Sequence, residues 1–499
     1  MPGRSRWPLH PPKPSVQSCT VTALAEHTTS AAELEPVLTG IGEAPPSPAG
    51  PADEDDPIRM PPADWAPKWL QTIRFGTRPL SFNLRAHHRY GDVWQLRIFA
   101  RRDAFIVTCH PDHFRSLMKA KPEDAPSLTG ESPLRPILGP NSVLTSVGAR
   151  HMRQRKLLLP PFHGESVQRY VQMISDVAER EIDRWPMHEP FALGPRMQAV
   201  TLEVIMSGVF GIDGRPAAGT IEHRILQTTR RLLGISASPL FAVIELRNSG
   251  RTEATGILRR MVEIIDRHLF ALIAERRAAG VGDGERTDVL SLLLQARDES
   301  GELLTDQELR DELLSLVLAG HETTANSIAW IFERLMRTPA AYDRLRDLVR
   351  EGGPEADAYV EATINEGMRN RPVIPMVVRM VKRPWRFGEY VLPANTPVAV
   401  SIVALQHRED VYPQPFAFMP ERFLGRKPGT NTWIPFGGGI RRCLGATLAM
   451  AEQRVVLAAI ARRTDLVAPD PEPERARQRN VTTIPSHGAR VVVAHRYPA

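Results

Sequence analysis

The stretch FGGGIRRCLG, residues 436–445, holds Cys443, one of three cysteines in 499 residues. Gly437, Gly438 and Gly439 come before it, Arg441 and Arg442 sit against it, and Gly445 follows two positions later. A thiolate is a metal ligand and a nucleophile, and nearby cations and the N–H groups of a helix start both stabilise it. CLGATLAMAEQRVVLAAIARR (443–463) predicts a helix that begins at or just after the cysteine. The glycines permit a tight turn, and Gly445 leaves room for a large flat group against the first helical turn. Cys19, Cys109 and Cys443 form no C-x-x-C pair and no zinc spacing. A lone thiolate can still supply one axial bond to an iron whose other ligands come from a porphyrin, and Arg441 can pair with a porphyrin propionate. The alternatives are a buried structural cysteine or a nucleophile, and the second needs a histidine base that the sequence does not nominate.

A second cluster of chemical residues is AGHETT, residues 319–324. It is not the zinc motif HExxH, because the second histidine would fall on Ala325. Gly320 lacks a Cβ and so lets a flat ligand approach the backbone. Thr323 can bond back to the carbonyl of Ala319 and loosen the helical ladder. Glu322 and Thr323 would then be an acid and a hydroxyl beside a ligand.

The element that carries this cluster is predicted strongly. Thr305 and Glu308 form a capping box, and Pro339 marks the far end. Residues 306–337 would span roughly 48 Å, long enough to cross the middle of the molecule. DVWQLRI (92–98) and AFIVTCH (104–110) predict a strand pair. Residues 165–350 read as mostly helical, with the run 254–280 prominent, and short strands return at VVRMV, PVAVSIV and RVVVAH. The expected fold class is mainly α with small β-sheets.

Composition sets the outer limits. Hydrophobic residues make up 42% and charged residues 24%, as in a soluble globular protein. The net charge of +6 comes without a dense basic run interleaved with aromatics, so nucleic acid is not an expected partner. No run of 18 apolar residues predicts a membrane span, no secretory signal is evident, and the sparse cysteines fit a reducing cytoplasm. Residues 1–62 contain 13 prolines and the acidic run Asp53–Asp56 without hydrophobic periodicity. They read as a disordered Pro-rich tail ahead of one domain over 63–499. Met60 could be the true start, and a chain beginning there is expected to fold as well as the full one.

FGGGIRRCLG resembles the haem-binding loop of the cytochrome P-450 family, F-x-x-G-x-R-x-C-x-G, and AGHETT resembles that family's oxygen-activation motif. EGMR (366–369) resembles its E-x-x-R motif. Glu181/Arg184, Glu472/Arg475 and Glu474/Arg477 share that spacing, but Glu366 and Arg369 stand at the right place in the order. PERF (420–423) resembles the partner segment, so Arg422 would complete a buried Glu366–Arg369–Arg422 cluster that holds the cysteine loop. HMRQR (151–155) resembles the segment that meets the haem propionates, carried by His151 and Arg155, and Arg379 matches the strand arginine with the same role. Asn370 stands where Leu is frequent in the family.

The resemblance implies a single-domain P-450 fold with the long helix over haem b (iron protoporphyrin IX). Cys443 would be the axial iron ligand. Phe436, Gly439, Arg441, Gly445, His151, Arg155, Arg379 and Gly320 would surround the cofactor, while Thr323 and Glu322 would organise protons and water on its oxygen side. The implied activity is a monooxygenase inserting one atom of O2 into a lipophilic small molecule. The substrate pocket would be built from 127–144, 232–244, 372–378 and 481–486. No flavin domain follows the last strand, so electrons are expected from a ferredoxin and its reductase, docking on Arg422, Arg426, Lys427, Arg441 and Arg442. The rival readings are a peroxide-using or isomerising haem-thiolate enzyme, and a haem sensor or carrier.

Overall fold

Thr305 opens the longest helix of the protein. Its side chain accepts from the Glu308 N–H while Glu308 accepts from the Thr305 N–H, completing the capping box. The central helix then runs Asp306–Leu335, 30 residues and about 45 Å at the standard rise. Leu309, Leu313, Ala325, Ile328, Trp330 and Phe332 are all buried on it, on several faces. Such all-round burial places a helix inside a molecule rather than on its surface. It packs along helix Leu193–Phe210, and Gly320 permits that approach. A Cβ there would lie 2.4 Å from Ile205 Cδ1. The freedom expected to admit a flat ligand at Gly320 is therefore taken up by a neighbouring helix.

The computed structural model describes residues 40–498 apart from 100–103, 129–131, 133, 163–164, 213–215, 237–247, 249–250 and 280–285. Of the three larger apolar cores among the described residues, two flank the central helix. One gathers Glu165–Ile182, Pro354–Asn370 and the cysteine helix Ala446–Arg463 on its C-terminal half. A second gathers Gly256–Ala278 and Val289–Gln295 on its N-terminal half. The third lies between the main sheet and helices Pro79–Tyr90 and Pro111–Lys119. The expected strand pair forms as Val93–Leu96 against Phe105–Thr108, antiparallel. Thr396–Ser401 then adds in parallel, and Met376–Val381 closes the four-stranded sheet. Ala476–Arg479 and Thr482–Pro485 make a separate hairpin.

Residues 40–62 differ from the expected tail, while 1–39 lie outside the described residues. Ala49–Pro51 pairs antiparallel with Trp385–Phe387 as an edge strand. Gly42 N–H donates to Val411 O at 2.7 Å, and Pro45 O meets His110 Nε2 at 2.8 Å. Ser47 Oγ meets His113 Nε2 at 2.8 Å, and Arg59 and Val391 exchange backbone bonds at 3.0 and 3.1 Å. The segment binds through its backbone, at a sheet edge where proline's missing donor costs nothing. Hydrophobic periodicity carries no trace of that kind of attachment. A chain starting at Met60 should thus be less stable than one starting at Gly40, by about 5 kcal/mol if each of these five lost bonds contributes about 1 kcal/mol net. Chemical denaturation of the two chains checks this, and coincident midpoints would restore the tail reading for 40–59.

Candidate active site

The cysteine loop folds on its glycines. Gly437 and Gly439 have φ of 66° and 63°, in the left-handed region that side chains resist. A Cβ on Gly439 would sit 2.5 Å from Met118 O, and one on Gly438 would sit 2.6 Å from Phe114 Cζ. The loop is pressed that closely against Pro111–Lys119. Cys443 N–H donates to Phe436 O at 3.0 Å, closing the turn, and the Phe436 ring packs edge-on to Trp433 at 5.9 Å. The helix begins at Ala446, three residues past Cys443. A Cβ built on Gly445 meets nothing within 4 Å, so this glycine borders open space.

Cys443 is exposed to solvent, yet burial pushes its thiol pKa up while the Gly445 N–H, Arg442 and Arg155 pull it down. Both observations hold for a side chain on the wall of a deep cleft. Four basic residues gather near it. His151 and Arg155 lie one turn apart on helix Gly148–Leu158, Arg379 on the strand Met376–Val381, and Arg441 on the loop. Arg155 donates to Arg442 O at 2.8 Å. Arg441 donates to Val143 O at 3.1 Å and Ser146 O at 2.5 Å. Arg379 donates to Val378 O at 2.9 Å. Among the described residues no carboxylate forms an ion pair with Arg155, Arg379 or Arg441. Burial, helped by Arg379 and Arg155, lowers Arg441 to about 10, and burial lowers Arg379 to about 10. Burial and the three arginines lower His151 to about 4.

The central helix opens to solvent along one stripe. Leu316, Ala319, Gly320 and Thr323 escape full burial, and their i, i+3, i+4, i+7 spacing puts them on one face. Thr323 Oγ1 donates to Ala319 O at 2.7 Å, inside that stripe. Glu322 lies off it. Its Oε1 accepts from Arg479 Nε at 2.7 Å and from Thr482 Oγ1 at 2.9 Å. The hydroxyl lies on the open stripe, and the neighbouring acid is held by the Ala476–Pro485 hairpin. Nothing local in the sequence marks Arg479 or Thr482 as partners of Glu322.

Glu366, Arg369 and Arg422 come together with no exposure at all. Arg369 donates to both Glu366 oxygens, at 2.6 and 2.7 Å, and Arg422 Nε lies 3.5 Å from Oε1. Arg369 also donates to the carbonyls of Gln406, Pro415 and Ala417. Gln406 was not singled out by the sequence reading, yet it joins this cluster to the cysteine loop. Its amide donates to Met368 O and Arg369 O, and its oxygen accepts from Ile434 N–H at 2.8 Å. Trp433 Nε1 donates to Asn365 O at 2.9 Å. Asn370 reaches Pro415 O and Phe416 O at 3.4 Å, so it braces the same loop in place of an apolar contact. Arg422, being buried, cannot belong to a docking face, whereas Arg426, Lys427 and Arg442 are exposed.

His151, Arg155, Arg379 and Arg441 thus lie close enough to act on one another's charge, beside the loop that carries Cys443. The family model described as cytochrome P450 matches residues 60–492. A putative cytochrome P450 137 of Mycobacterium tuberculosis is 39% identical over 82% of this chain and 84% of its own length. A putative cytochrome P450 135A1 of the same species is 36% identical over 86% of this chain and 94% of its own. In three dimensions the chain is similar to a retinoic acid-bound cyanobacterial CYP120A1, with TM-score 0.72 and 22% identity over 88% of this chain and all of that one. The chain belongs to the cytochrome P450 family. It is accordingly a haem-thiolate monooxygenase with haem b as cofactor, taking O2, an organic substrate and electrons from redox partners. No helix among the described residues is long and apolar enough to cross a membrane.

The histidine gives a pH test of the cleft. His151 falls from 6.5 to about 4 on folding, so the unfolded chain binds the proton more readily between those values. Stability should therefore drop as pH falls from 6.5 to 4, by up to roughly 3 kcal/mol from this group. His151→Gln in the haem-free protein should flatten that decline. His113 and His321, also lowered, remain in both chains and cancel in the difference. Parallel denaturation curves from pH 7 to 4 would show that His151 is not held neutral.

Proposed function

We propose that Cys443 is the axial thiolate of the haem, that His151, Arg155, Arg379 and Arg441 receive its propionates, and that the enzyme oxidises a lipophilic small molecule. The observation that carries this reading is the basic cluster without a carboxylate, next to an exposed thiol. Gathering three guanidiniums, Arg379 buried and Arg155 and Arg441 partly so, with no counter-ion is costly, and a dianionic ligand with charge-assisted bonds offsets it. The open stripe on the central helix and the free space at Gly445 fit a flat macrocycle between them. Phe436 and Gly439 shape the turn behind the thiolate, and Gly320 acts at one remove by setting the helix packing.

When bound, the haem supplies the iron chemistry that activates O2. The chain's part is to hold, orient and move protons. Burial raises the Cys443 thiol pKa, and the Gly445 N–H, Arg442 and Arg155 offset part of that rise in favour of the thiolate. Glu366, Arg369 and Arg422 keep the cysteine loop in place through Gln406. Thr323 Oγ1 presents a hydroxyl on the open stripe, with its proton on Ala319 O and its lone pairs free to accept from water. Glu322, once its carboxylate turns from Arg479 and Thr482, would take up a proton from water and pass it on to that hydroxyl. This placement of Thr323 favours an oxygen-activating enzyme over a peroxide-using, isomerising or purely haem-carrying protein.

Apolar positions support the substrate class. Val373, Ile374 and Val377 lie only partly buried, Thr483 N–H donates to Val373 O at 2.7 Å, and Leu144, Val147 and Val481 are exposed. Of the segments expected around the pocket, 129–131, 133 and 237–244 lie outside the described residues. For redox partners we propose a ferredoxin and its reductase in the cytoplasm, with the exposed Arg426, Lys427 and Arg442 facing the acidic carrier.

Two substitutions test the assignment. Cys443→Ser should abolish the red-shifted Soret band of the reduced, CO-bound protein, and persistence of that band would move the iron ligand to another residue. Thr323→Ala should leave the haem spectrum and ligand-induced shifts intact, cost roughly 1 kcal/mol of stability, and lower product formation about a hundredfold. Reducing equivalents should then appear as peroxide or water. An unchanged ratio of product to NADPH consumed, with a surrogate ferredoxin system, would reduce Thr323 to a helix-shaping residue.

A further inference from the structure

Cys109 takes no part in the haem cleft, yet it sits in a constellation of its own. His87 stands in the last turn of helix Pro79–Tyr90, Asp92 just ahead of strand Val93–Leu96, and Cys109 just past strand Phe105–Thr108. His87 Nδ1 lies 3.2 Å from Cys109 Sγ and 3.6 Å from Asp92 Oδ1, and Cys109 Sγ lies 3.7 Å from the same oxygen. The three donor atoms form a nearly equilateral triangle. Three ligands on one tetrahedral cation, with bonds of about 2.0 Å to nitrogen and oxygen and 2.3 Å to sulfur, lie roughly 3.3–3.5 Å apart. The observed triangle is one face of that tetrahedron, slightly relaxed.

The imidazole geometry separates this from a catalytic triad. A Cys–His–Asp relay uses one ring nitrogen for the nucleophile and the other for the carboxylate. Here Nδ1 faces both, which suits a shared cation and leaves a relay without its second contact. Sulfur, nitrogen and carboxylate oxygen together are the donor set of a borderline-soft divalent metal of the zinc class. Cys109 is fully buried, whereas the His87 and Asp92 side chains are 26% and 32% exposed. The open side of the triangle thus faces solvent, giving both an entry path and a position for water as fourth ligand.

The surrounding charges permit a cation. Arg408 bonds to Asp92 Oδ1, which opposes binding, but it also forms two bonds to Asp410, at 3.0 and 2.7 Å. Its charge is therefore shared with a second carboxylate. The remaining close acceptors are carbonyls: Gly91 O is 3.2 Å from His87 Nδ1, and Asp92 O is 3.8 Å from Cys109 Sγ.

We propose that His87, Asp92 and Cys109 form a zinc-class cation site, remote in role from the haem, that ties the end of helix Pro79–Tyr90 to the strand pair beside it. Binding converts the Cys109 thiol to a thiolate, and the displaced proton goes to solvent. The site is a structural clamp with one water-filled position.

The test uses the full-length, haem-loaded protein carrying Cys19→Ser, in which Cys443 is occupied by iron. After chelation and dialysis, zinc is added back, excess is removed by gel filtration, and the zinc-to-iron ratio is measured. The expected result is one zinc per iron, with one sulfur neighbour in zinc X-ray absorption and a raised denaturation midpoint. Cys109→Ser and, separately, the more exposed His87→Gln should each weaken zinc at least tenfold in competition with a chromophoric chelator. The His87 variant covers the case in which the buried cysteine cannot be changed without loss of folding. A ratio near zero, a zinc without a sulfur neighbour, or affinity unchanged in His87→Gln would overturn the proposal.

Discussion

The buried carboxylate of Glu366 is the interaction on which the cysteine loop depends. Two guanidiniums share it in a region with no solvent. One negative charge cannot satisfy two positive groups, so the remaining N–H donors must find acceptors. They find main-chain carbonyls: Gln406, Pro415 and Ala417 for Arg369, and Gln414 for Arg422. A stretch with little regular secondary structure is thereby held by side chains from elsewhere. Met419 N–H donates to Glu366 Oε1 at 2.9 Å, returning one bond to the carboxylate. The cluster is at once a charge centre and the scaffold of the segment that precedes the cysteine loop.

Set beside it, the second arginine-rich cluster follows the opposite rule. Around Glu366, burial is matched by a carboxylate and several carbonyls. Around His151, Arg155, Arg379 and Arg441, carbonyls take some of the donors, but among the described residues no acid balances the charge. The depressed His151 and Arg441 are the signature of that imbalance. Residue type alone does not tell the two apart, since both are arginines within an apolar setting. What differs is whether the chain brings its own anion. Where it does, the result is architecture; where it does not, the charge is left for a ligand such as the propionates proposed above.

How much of this the sequence discloses varies with the range of the interaction. The Thr305–Glu308 box, the central helix and the Thr323–Ala319 bond are local, spanning three or four residues, and each is read from spacing. Glu366 and Arg369 are also local, but choosing them over three other matches required chain order, because burial leaves no mark on a four-residue pattern. Long-range partners left no trace. Gln406, Arg479 and Thr482 become visible only when their elements pack. Residues 40–62 were misjudged for the same reason, since an edge strand held by backbone bonds needs no apolar period. Cys109 shows no ligand spacing in the sequence because its neighbours His87 and Asp92 come from separate elements.

Gly320 shows how a correct signal can carry the wrong cause. A glycine in the middle of a long apolar helix is costly, by about 1 kcal/mol against alanine, so it calls for a reason. The reason is Ile205, which occupies the space a Cβ would need. That contact draws helix Leu193–Phe210 against one side of the central helix, and Thr201 Oγ1 then reaches His321 O at 2.7 Å. Gly320 thus sits at the border of the stripe it shares with Leu316, Ala319 and Thr323, with Ile205 packed where its Cβ would be. Thr323 can stand there without an unsatisfied donor because its proton is already placed on Ala319 O. The glycine therefore shapes the cleft through packing, and the hydroxyl one turn further on does the facing.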